Sequence, residues 1–141
     1  MFFISDTLEG RQKLIKSYSG NQATLGTLLA VIDFEWTVRR AIISLSYLPT
    51  KEVRADIEKS SGPVAYKKKW QEHVVPLQKK ALDAVVPDWT VLKDGSFQMR
   101  HKIVHGAQVT AREADAIEKR DIALSASRAV WCSPSATMRQ I

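Results

Sequence analysis

The longest uninterrupted helical pattern in this sequence covers residues 22–48. On a helical wheel, at ~100° per residue, an apolar stripe runs along this segment and further apolar residues cover most of the remaining circumference. The stripe consists of Leu25, Leu28, Leu29, Ile32, Trp36 and Ile43, and the other apolar residues are Ala30, Val31, Phe34, Val38, Ala41, Ile42 and Leu45. A narrow polar strip contains Asp33, Thr37, Arg40 and Ser44. We therefore expect a central helix that other helices cover on most sides.

Two shorter helices are expected around this central one. The first begins at a cap formed by Asp6, with Glu9 three positions later in a capping pattern. Pro49 ends the central helix, and Thr50 is expected to cap a short helix over residues 51–59.

The second half of the chain continues the helical pattern. Residues 64–86 are predicted to be helical, and Pro76 either kinks this helix or begins a second piece. Further helical segments are expected at residues 87–92, at residues 96–105, and from a capping box of Thr110 and Glu113 to residue 129 or 131. Since no strand pattern and no repeat is found, we expect an all-α fold, an up-and-down helical bundle of about four to six helices. Residues 1–132 form its single domain, and residues 133–141 are expected to be a flexible tail.

Composition limits the classes of function. A chain of 141 residues suits one domain, and its single cysteine, Cys132, cannot form an internal disulfide. The N-terminal apolar run is too short for a signal peptide, and no apolar run reaches membrane-spanning length. We therefore expect a cytoplasmic protein that does not enter a membrane. The net charge of +6 favours an acidic partner such as nucleic acid, although basic proteins without one are common.

Titratable and phosphate-binding chemistry is concentrated between Phe97 and Gly106, at the end of an expected helix. Gly106 readily takes the left-handed conformation that follows a helix, which places His105 in the last turn. Unpaired carbonyl groups there favour an imidazolium. Arg100 lies more than a turn earlier and can bind a phosphate through two of its donors. An Arg and a His are the minimum set of groups for cleaving RNA without a metal, because the His moves a proton and the Arg stabilises charge on the phosphate.

This stretch resembles the signature of the HEPN superfamily, a group of small all-helical domains. The signature is an Arg, a polar residue, three further residues and a His. These correspond here to Arg100, His101, residues 102–104 and His105, and Gly106 follows them as it often does in such proteins.

The resemblance implies a metal-independent endoribonuclease with no cofactor. HEPN ribonucleases typically act as homodimers in which two copies of the motif form one composite site. One His105 would accept a proton from the RNA 2'-hydroxyl, the other would assist the leaving oxygen, and the two Arg100 side chains would hold the phosphate. Family habit also implies a toxin or phage-defence effector, with an antitoxin or defence-system protein as a further partner. In HEPN toxins that pair with a nucleotidyltransferase antitoxin, a Tyr commonly stands two residues after the His, where the antitoxin can nucleotidylate it. This chain has Ala107 at that position, which argues against silencing by nucleotidylation.

Four other residues are candidates for a supporting or RNA-binding role. His101 and Lys102 either contact RNA or simply face solvent. Glu35 and Arg39 lie one helical turn apart on the central helix, acid before base. They either neutralise each other as a partly buried ion pair, or face the motif helix and orient Arg100 and His105, or contact RNA.

Alternative chemistries have weaker support. His101 and His105 could share a metal ion, but no Glu follows His101 and no nearby carboxylate completes a ligand set, so we expect no metal. The basic run of Lys67, Lys68, Lys69, Lys79 and Lys80 is either a solvated face or an RNA path with Tyr66 and Trp70 stacking on bases. Trp70 suits the core better. The alternatives to an enzyme are a non-catalytic HEPN domain that binds nucleotide or RNA, and a helical protein-interaction module.

Overall fold

A computed structural model describes residues 7–46, 48–105 and 113–132, and these residues are helical with no strand among them. The helices are α1 (Leu8–Lys16), α2 (Ala23–Leu45), α3 (Thr50–Ile57), α4 (Pro63–His73), α5 (Val75–Gln78), α6 (Leu82–Val85), α7 (Trp89–Val91), α8 (Phe97–Val104) and α9 (Glu113–Trp131). A single 3-10 turn, Gly20–Gln22, precedes α2, and a π-helical turn, Leu92–Ser96, leads directly into α8. The expected all-α class is confirmed.

Helices α1, α8 and α9 pack around α2, and the four helices alternate in direction in the order of the chain. The buried ion pair between Arg11 and Asp33 fixes α1 antiparallel to α2, with Tyr18 packed close to Gly26 at the other end. Helix α8 also runs antiparallel to α2. The Phe97 ring meets Phe34 edge-on at 6.0 Å between centroids, whereas Met99 and Ile103 share a second apolar cluster with Ala23 at the start of α2.

Helix α9 runs parallel to α2 and closes the bundle. The Thr27 hydroxyl donates to the carbonyl oxygen of Ala116 at 2.7 Å, near the beginning of both helices. Further along, the Gln12 side chain donates to the carbonyl oxygen of Leu124 at 2.9 Å and ties α1 to α9. These side-chain bonds to buried carbonyl groups fix the relative positions of three helices.

One apolar face of α2 forms the centre of the main core, and the other remains open. The core face contains Ala30, Val31, Phe34, Val38, Ala41 and Ile42, all fully buried. The stripe expected from the wheel is partly exposed instead, with 41% exposure at Leu25, 46% at Ile32 and 38% at Trp36. Helix α2 is therefore central and largely buried, as expected, but this stripe stays partly exposed.

The narrow polar strip of α2 is partly buried. Asp33 pairs with Arg11 at 2.8 Å, and the Thr37 hydroxyl donates to the carbonyl oxygen of Asp33 at 2.8 Å. Asp33 Oδ1 and the Thr37 hydroxyl thus have partners, which offsets part of the cost of burying these polar groups, whereas Asp33 Oδ2 makes no hydrogen bond within the described residues. A helical wheel shows which residues of one helix share a face, but it cannot show that Asp33 has a partner on another helix.

Several helix ends differ from expectation by a residue or two. The cap of α1 is Thr7, whose hydroxyl accepts from the backbone N–H of Gly10 at 3.1 Å, and the expected cap Asp6 lies outside the described residues. Pro49 takes the cap position before α3, so Thr50 is its first helical residue. The expected capping residue Thr110 and the expected tail, residues 133–141, also lie outside the described residues.

The helix expected over residues 64–86 is divided into α4, α5 and α6. Pro76 belongs to the first turn of α5, where its missing N–H costs little, so it begins a second piece rather than kinking a continuous helix. Lys79 ends α5 in the left-handed conformation with φ of 62°. Among the helices that the structure describes, none combines the length and apolar character needed to cross a bilayer.

Candidate functional site

Helix α8 carries the Arg100 and His105 motif along the side of α2. Phe97 and Met99 are buried and anchor α8, whereas the Arg100 side chain, on another face of the helix, remains 30% exposed. The nearest Nη atom of Arg100 lies 3.1 Å from Glu35 Oε1 on α2. Because the Glu35 side chain is only 11% exposed, this is a largely buried carboxylate beside a partly exposed guanidinium.

The pairing with Glu35 leaves much of the Arg100 guanidinium uncommitted. The 3.1 Å contact brings opposite charges together, but its geometry is not that of a good hydrogen bond, and Glu35 Oε1 has no hydrogen-bond partner among the described residues. Arg100 Nε is also buried without a hydrogen-bond partner in the described part of the chain. An anion could therefore reach Arg100 through the exposed part of its side chain, but not through the enclosed Nε–H.

The other oxygen of Glu35 is held by a residue that the sequence did not indicate for this site. The Tyr66 hydroxyl donates to Glu35 Oε2 at 2.5 Å and accepts from Arg39 Nε at 3.1 Å. An Nη of Arg39 donates in turn to the carbonyl oxygen of Ser60 at 2.6 Å. A continuous chain of contacts thus leads from Ser60 through Arg39, Tyr66 and Glu35 to Arg100.

Tyr66 is fully buried in α4, and its environment keeps the phenol protonated. Burial, and then the hydrogen bond to Glu35, raise the pKa of Tyr66 from 10.0 to about 12. A phenolate there would lose hydration and would face the carboxylate of Glu35. At neutral pH Tyr66 is therefore a donor to Glu35, and Arg39 is the donor to Tyr66.

These contacts distinguish two of the alternatives for Glu35 and Arg39, a mutual ion pair and an orientation of Glu35 towards the motif helix. They do not form a direct ion pair with each other in the described structure, because the Tyr66 hydroxyl bonds to both of them. Glu35 faces the motif helix and contacts Arg100, whereas the contacts of Arg39 are with Tyr66 and Ser60. The structure thus brings Glu35 to Arg100 directly and Arg39 only through Tyr66.

His105 lies at the end of α8 and is exposed. Its backbone N–H donates to the carbonyl oxygen of His101, and the two imidazole rings are 4.2 Å apart between centroids with a tilt of 51°. His101 and Lys102 are also exposed, as both the solvent-facing and the RNA-binding interpretation require. An exposed imidazole at a helix end is accessible for proton transfer to a bound ligand.

The basic run around α4 does not form a base-stacking surface. Tyr66 is fully buried, and Trp70 is 1% exposed with its indole N–H donating to the carbonyl oxygen of Lys80 at 2.8 Å. The alternative in which these two rings stack on RNA bases is therefore wrong, and Trp70 is a core residue, as expected. Lys67 pairs with Asp83, and Lys69 pairs with Asp56 and Glu72, so part of the basic charge is already neutralised.

A separate polar cluster joins α3 to α4. His73 Nε2 lies 2.5 Å from Asp56 Oδ2, and Lys69 Nζ lies 3.0 Å from Asp56 and 3.2 Å from Glu72. Hydrogen bonds from His73 and Lys69 lower the pKa of Asp56, and the bond to Asp56 raises the pKa of Lys69. Asp56, Glu72 and His73 have the ligand types of a metal site. The Lys69 ammonium, however, already supplies a positive charge to both carboxylates.

Comparisons with protein-family models, with curated proteins and with solved structures return no significant match for this chain. The resemblance to HEPN domains consequently depends on the motif residues and on the helices that carry them.

Proposed function

We propose that this protein is a metal-independent endoribonuclease of HEPN type. The observation that supports it most is the arrangement on α8: Arg100 is partly exposed beside the buried carboxylate of Glu35, and His105 is exposed at the end of the same helix. This arrangement supplies an anion-binding group and a proton-transfer group within one helix.

The proposed reaction is attack of an RNA 2'-hydroxyl on the adjacent phosphorus. A neutral His105 takes the proton of the 2'-hydroxyl as the new P–O bond forms, and an imidazolium gives a proton to the 5'-oxygen as its bond to phosphorus breaks. Arg100 stabilises the negative charge that builds up on the non-bridging oxygens. The products are a 2',3'-cyclic phosphate and a 5'-hydroxyl, and no metal or cofactor takes part.

A single copy of the motif is poorly arranged to perform both proton transfers. Along an α-helix, positions five apart differ by about 140° in direction and about 7.5 Å in height, so Arg100 and His105 leave α8 on different sides. A second copy could supply the complementary His105 and Arg100. The proposal therefore includes a homodimer with a composite site, related by a two-fold axis.

The exposed apolar stripe of α2 is the surface that we propose for this dimer. Leu25, Ile32 and Trp36 are its exposed residues, and Leu29 lies between them partly buried. Exposed large apolar side chains at helical spacing on a central helix are typical of an interface rather than of free surface. Glu35 lies about a quarter-turn around α2 from this stripe, so the site borders the surface.

The positions along α2 suit a two-fold axis perpendicular to this helix. Arg100 lies at the level of Glu35, and α8 then runs towards the start of α2. The centre of the stripe, near Leu29 and Ile32, falls between these levels. Antiparallel packing of two such stripes would leave both motifs on the same side of the interface. It would also bring Arg100 of one copy towards the level of His105 of the other.

The biological role that we propose is a toxin or phage-defence effector located in the cytoplasm, where its RNA substrate is found. A partner antitoxin or defence protein would then restrain it. Expression of the native chain should arrest growth, and expression of His105→Ala should not.

One observation favours the alternative, a non-catalytic nucleotide-binding, RNA-binding or protein-interaction module. Glu35 already neutralises part of the Arg100 charge, which weakens its attraction for phosphate. An inactive domain would tolerate such pairing, whereas a catalyst must use the remaining donors of Arg100.

The products and the substrate class test the proposal. End-labelled RNA and DNA of the same sequence are incubated with the protein, and the fragment ends are identified by mass spectrometry. We expect RNA fragments with 2',3'-cyclic phosphate ends and intact DNA, because DNA lacks the attacking 2'-hydroxyl. Cleaved DNA, or RNA fragments that end in a 3'-hydroxyl, would exclude this mechanism.

A further inference from the structure

Tyr66 stands between two opposite charges that would otherwise attract each other. Glu35 and Arg39 are one turn apart on α2, and positions four apart on a helix are close enough to form an ion pair. In the structure the Tyr66 hydroxyl bonds to both, at 2.5 Å from Glu35 Oε2 and 3.1 Å from Arg39 Nε. Its ring is fully buried, so the hydroxyl is fixed in position by the core.

We propose that Tyr66 is a positioning residue that reserves Glu35 for Arg100. Holding one carboxylate oxygen leaves the other, Oε1, beside the Arg100 guanidinium at 3.1 Å. Accepting from Arg39 satisfies the neighbouring guanidinium, which the carbonyl oxygen of Ser60 holds from its other side at 2.6 Å. The role in catalysis rests on the proposed ribonuclease function, whereas the positioning of Arg100 does not depend on it.

Removal of the hydroxyl has a definite structural consequence. Without Tyr66 Oη, Arg39 Nε loses its acceptor and Glu35 loses its donor, and the two groups satisfy each other by forming a direct pair. Glu35 then turns away from Arg100. Arg100 becomes a freer cation, which binds phosphate at least as well as before but is no longer held in one orientation.

This consequence predicts slower RNA cleavage without weaker RNA binding. In Tyr66→Phe, the rate constant of single-turnover RNA cleavage at saturating protein falls about tenfold, the scale of a lost hydrogen bond to a charged group. The Kd for RNA stays the same or decreases. A general loss of structure would lower the cleavage rate constant and would also weaken RNA binding. Tyr18→Phe, which removes a hydroxyl outside this network, is the matched control and should change neither quantity.

A second substitution should reverse the loss. In the double variant Tyr66→Phe with Arg39→Gln, the competing guanidinium is absent and Glu35 returns to Arg100. The cleavage rate constant should recover to within about threefold of the native value, since only the orientation of Arg100 was lost. A defect of packing in the core would not be rescued by removing Arg39.

The Nε–H signal of Arg100 in a nitrogen–proton correlation spectrum, assigned by its disappearance in Arg100→Lys, gives a measurement independent of cleavage. We expect Tyr66→Phe to shift this signal, the double variant to restore it, and Tyr18→Phe to leave it unchanged. An unshifted signal in folded Tyr66→Phe, or cleavage equal to that of Tyr18→Phe, would overturn the proposal.

The failure of each proposal can be recognised separately. If native protein cleaves no RNA, the ribonuclease function is rejected, and the Arg100 signal still decides whether Tyr66 positions this residue. If Tyr66→Phe does not fold, the double variant is tested instead. It lacks the Arg39 guanidinium that would otherwise have lost its acceptor, the Tyr66 hydroxyl. An Arg100 signal like that of the native protein then supports the proposal, and a displaced signal rejects it.

Discussion

At the scale of single residues, the phenol of Tyr66 is surrounded by the core and donates to a carboxylate, and both circumstances oppose ionisation. Its pKa is raised to about 12 from 10.0. Since folding favours the protonated phenol, this contribution to stability is fully present below pH 10.0 and is lost as the pH rises through the folded value of about 12.

The pH dependence of tyrosinate absorbance measures this shift. The native protein should contain one tyrosine component that titrates near pH 12, and Tyr66→Phe should lack it while retaining the components of the other tyrosines. If the two proteins gave the same absorbance curve per remaining tyrosine, the raised pKa of Tyr66 would be contradicted.

The residues of the candidate site differ in how far sequence could predict them. The motif itself shows Arg100 and His105, and Glu35 and Arg39 are candidates for supporting the motif because they interrupt the apolar surface of the central helix. Tyr66 gives no such signal, because it lies in a lysine-rich segment where a tyrosine is equally suited to a surface or a core. Its role depends on which helix packs against α2, and that is a property of the tertiary structure.

At the scale of helices, a buried ion pair joins α1 to α2. Arg11 is 2% exposed and Asp33 is 7% exposed, and Arg11 also stacks on Trp36 at 4.6 Å and lies 5.4 Å from Trp131. Removal of one charge from such a pair leaves the other in a poorly hydrated site. The position of α1 therefore depends on a charge as well as on apolar burial.

Asp33→Asn keeps the shape of the side chain and removes its charge. We expect it to reduce the free energy of unfolding by about 3 kcal/mol, the usual cost of breaking a buried pair. The control is Asp115→Asn, since Asp115 meets Lys119 at 3.8 Å on the surface with 48% exposure. This change should cost less than about 1 kcal/mol. Equal losses in urea unfolding would show that Asp33 does not hold α1 in place.

Helix α2 also shows why some features of the fold could not be read from sequence. Its length, its central position and the approximate bounds of most helices follow from helical periodicity and from Pro and Gly positions. Both of its faces are apolar, however, so the pattern does not tell which one is buried. The bundle buries the face around Phe34 and leaves Ile32 exposed, and Asp33 is buried beside Arg11 of α1.

At the scale of the whole molecule, the proposed function requires two copies that meet through the exposed stripe of α2. Ile32 is 46% exposed, so Ile32→Glu should not disturb the fold of one copy but should place like charges across the two-fold axis. Leu77→Glu, at a site that is 56% exposed on α5, introduces the same side chain away from the stripe.

Sedimentation or light scattering compares these proteins. We expect a dimer for the native chain and for Leu77→Glu. Ile32→Glu should be a monomer at the same concentration, with a dimer dissociation constant raised more than about tenfold, because a buried unpaired carboxylate is costly. RNA cleavage should fall in parallel. A dimer that survives Ile32→Glu would rule out this interface, and a strictly monomeric native protein would contradict the composite site.

The most direct measurement is cleavage of a labelled RNA of mixed sequence in the presence of EDTA. Native protein is compared with Arg100→Ala and His105→Ala, and with Lys13→Ala as an exposed cation outside the motif, after all four have been shown to be folded. Our account predicts cleavage by the native protein and Lys13→Ala, and a loss of about a hundredfold or more in each motif variant. Cleavage that needs added magnesium, that persists in His105→Ala, or that is absent from a well-folded native dimer would contradict it.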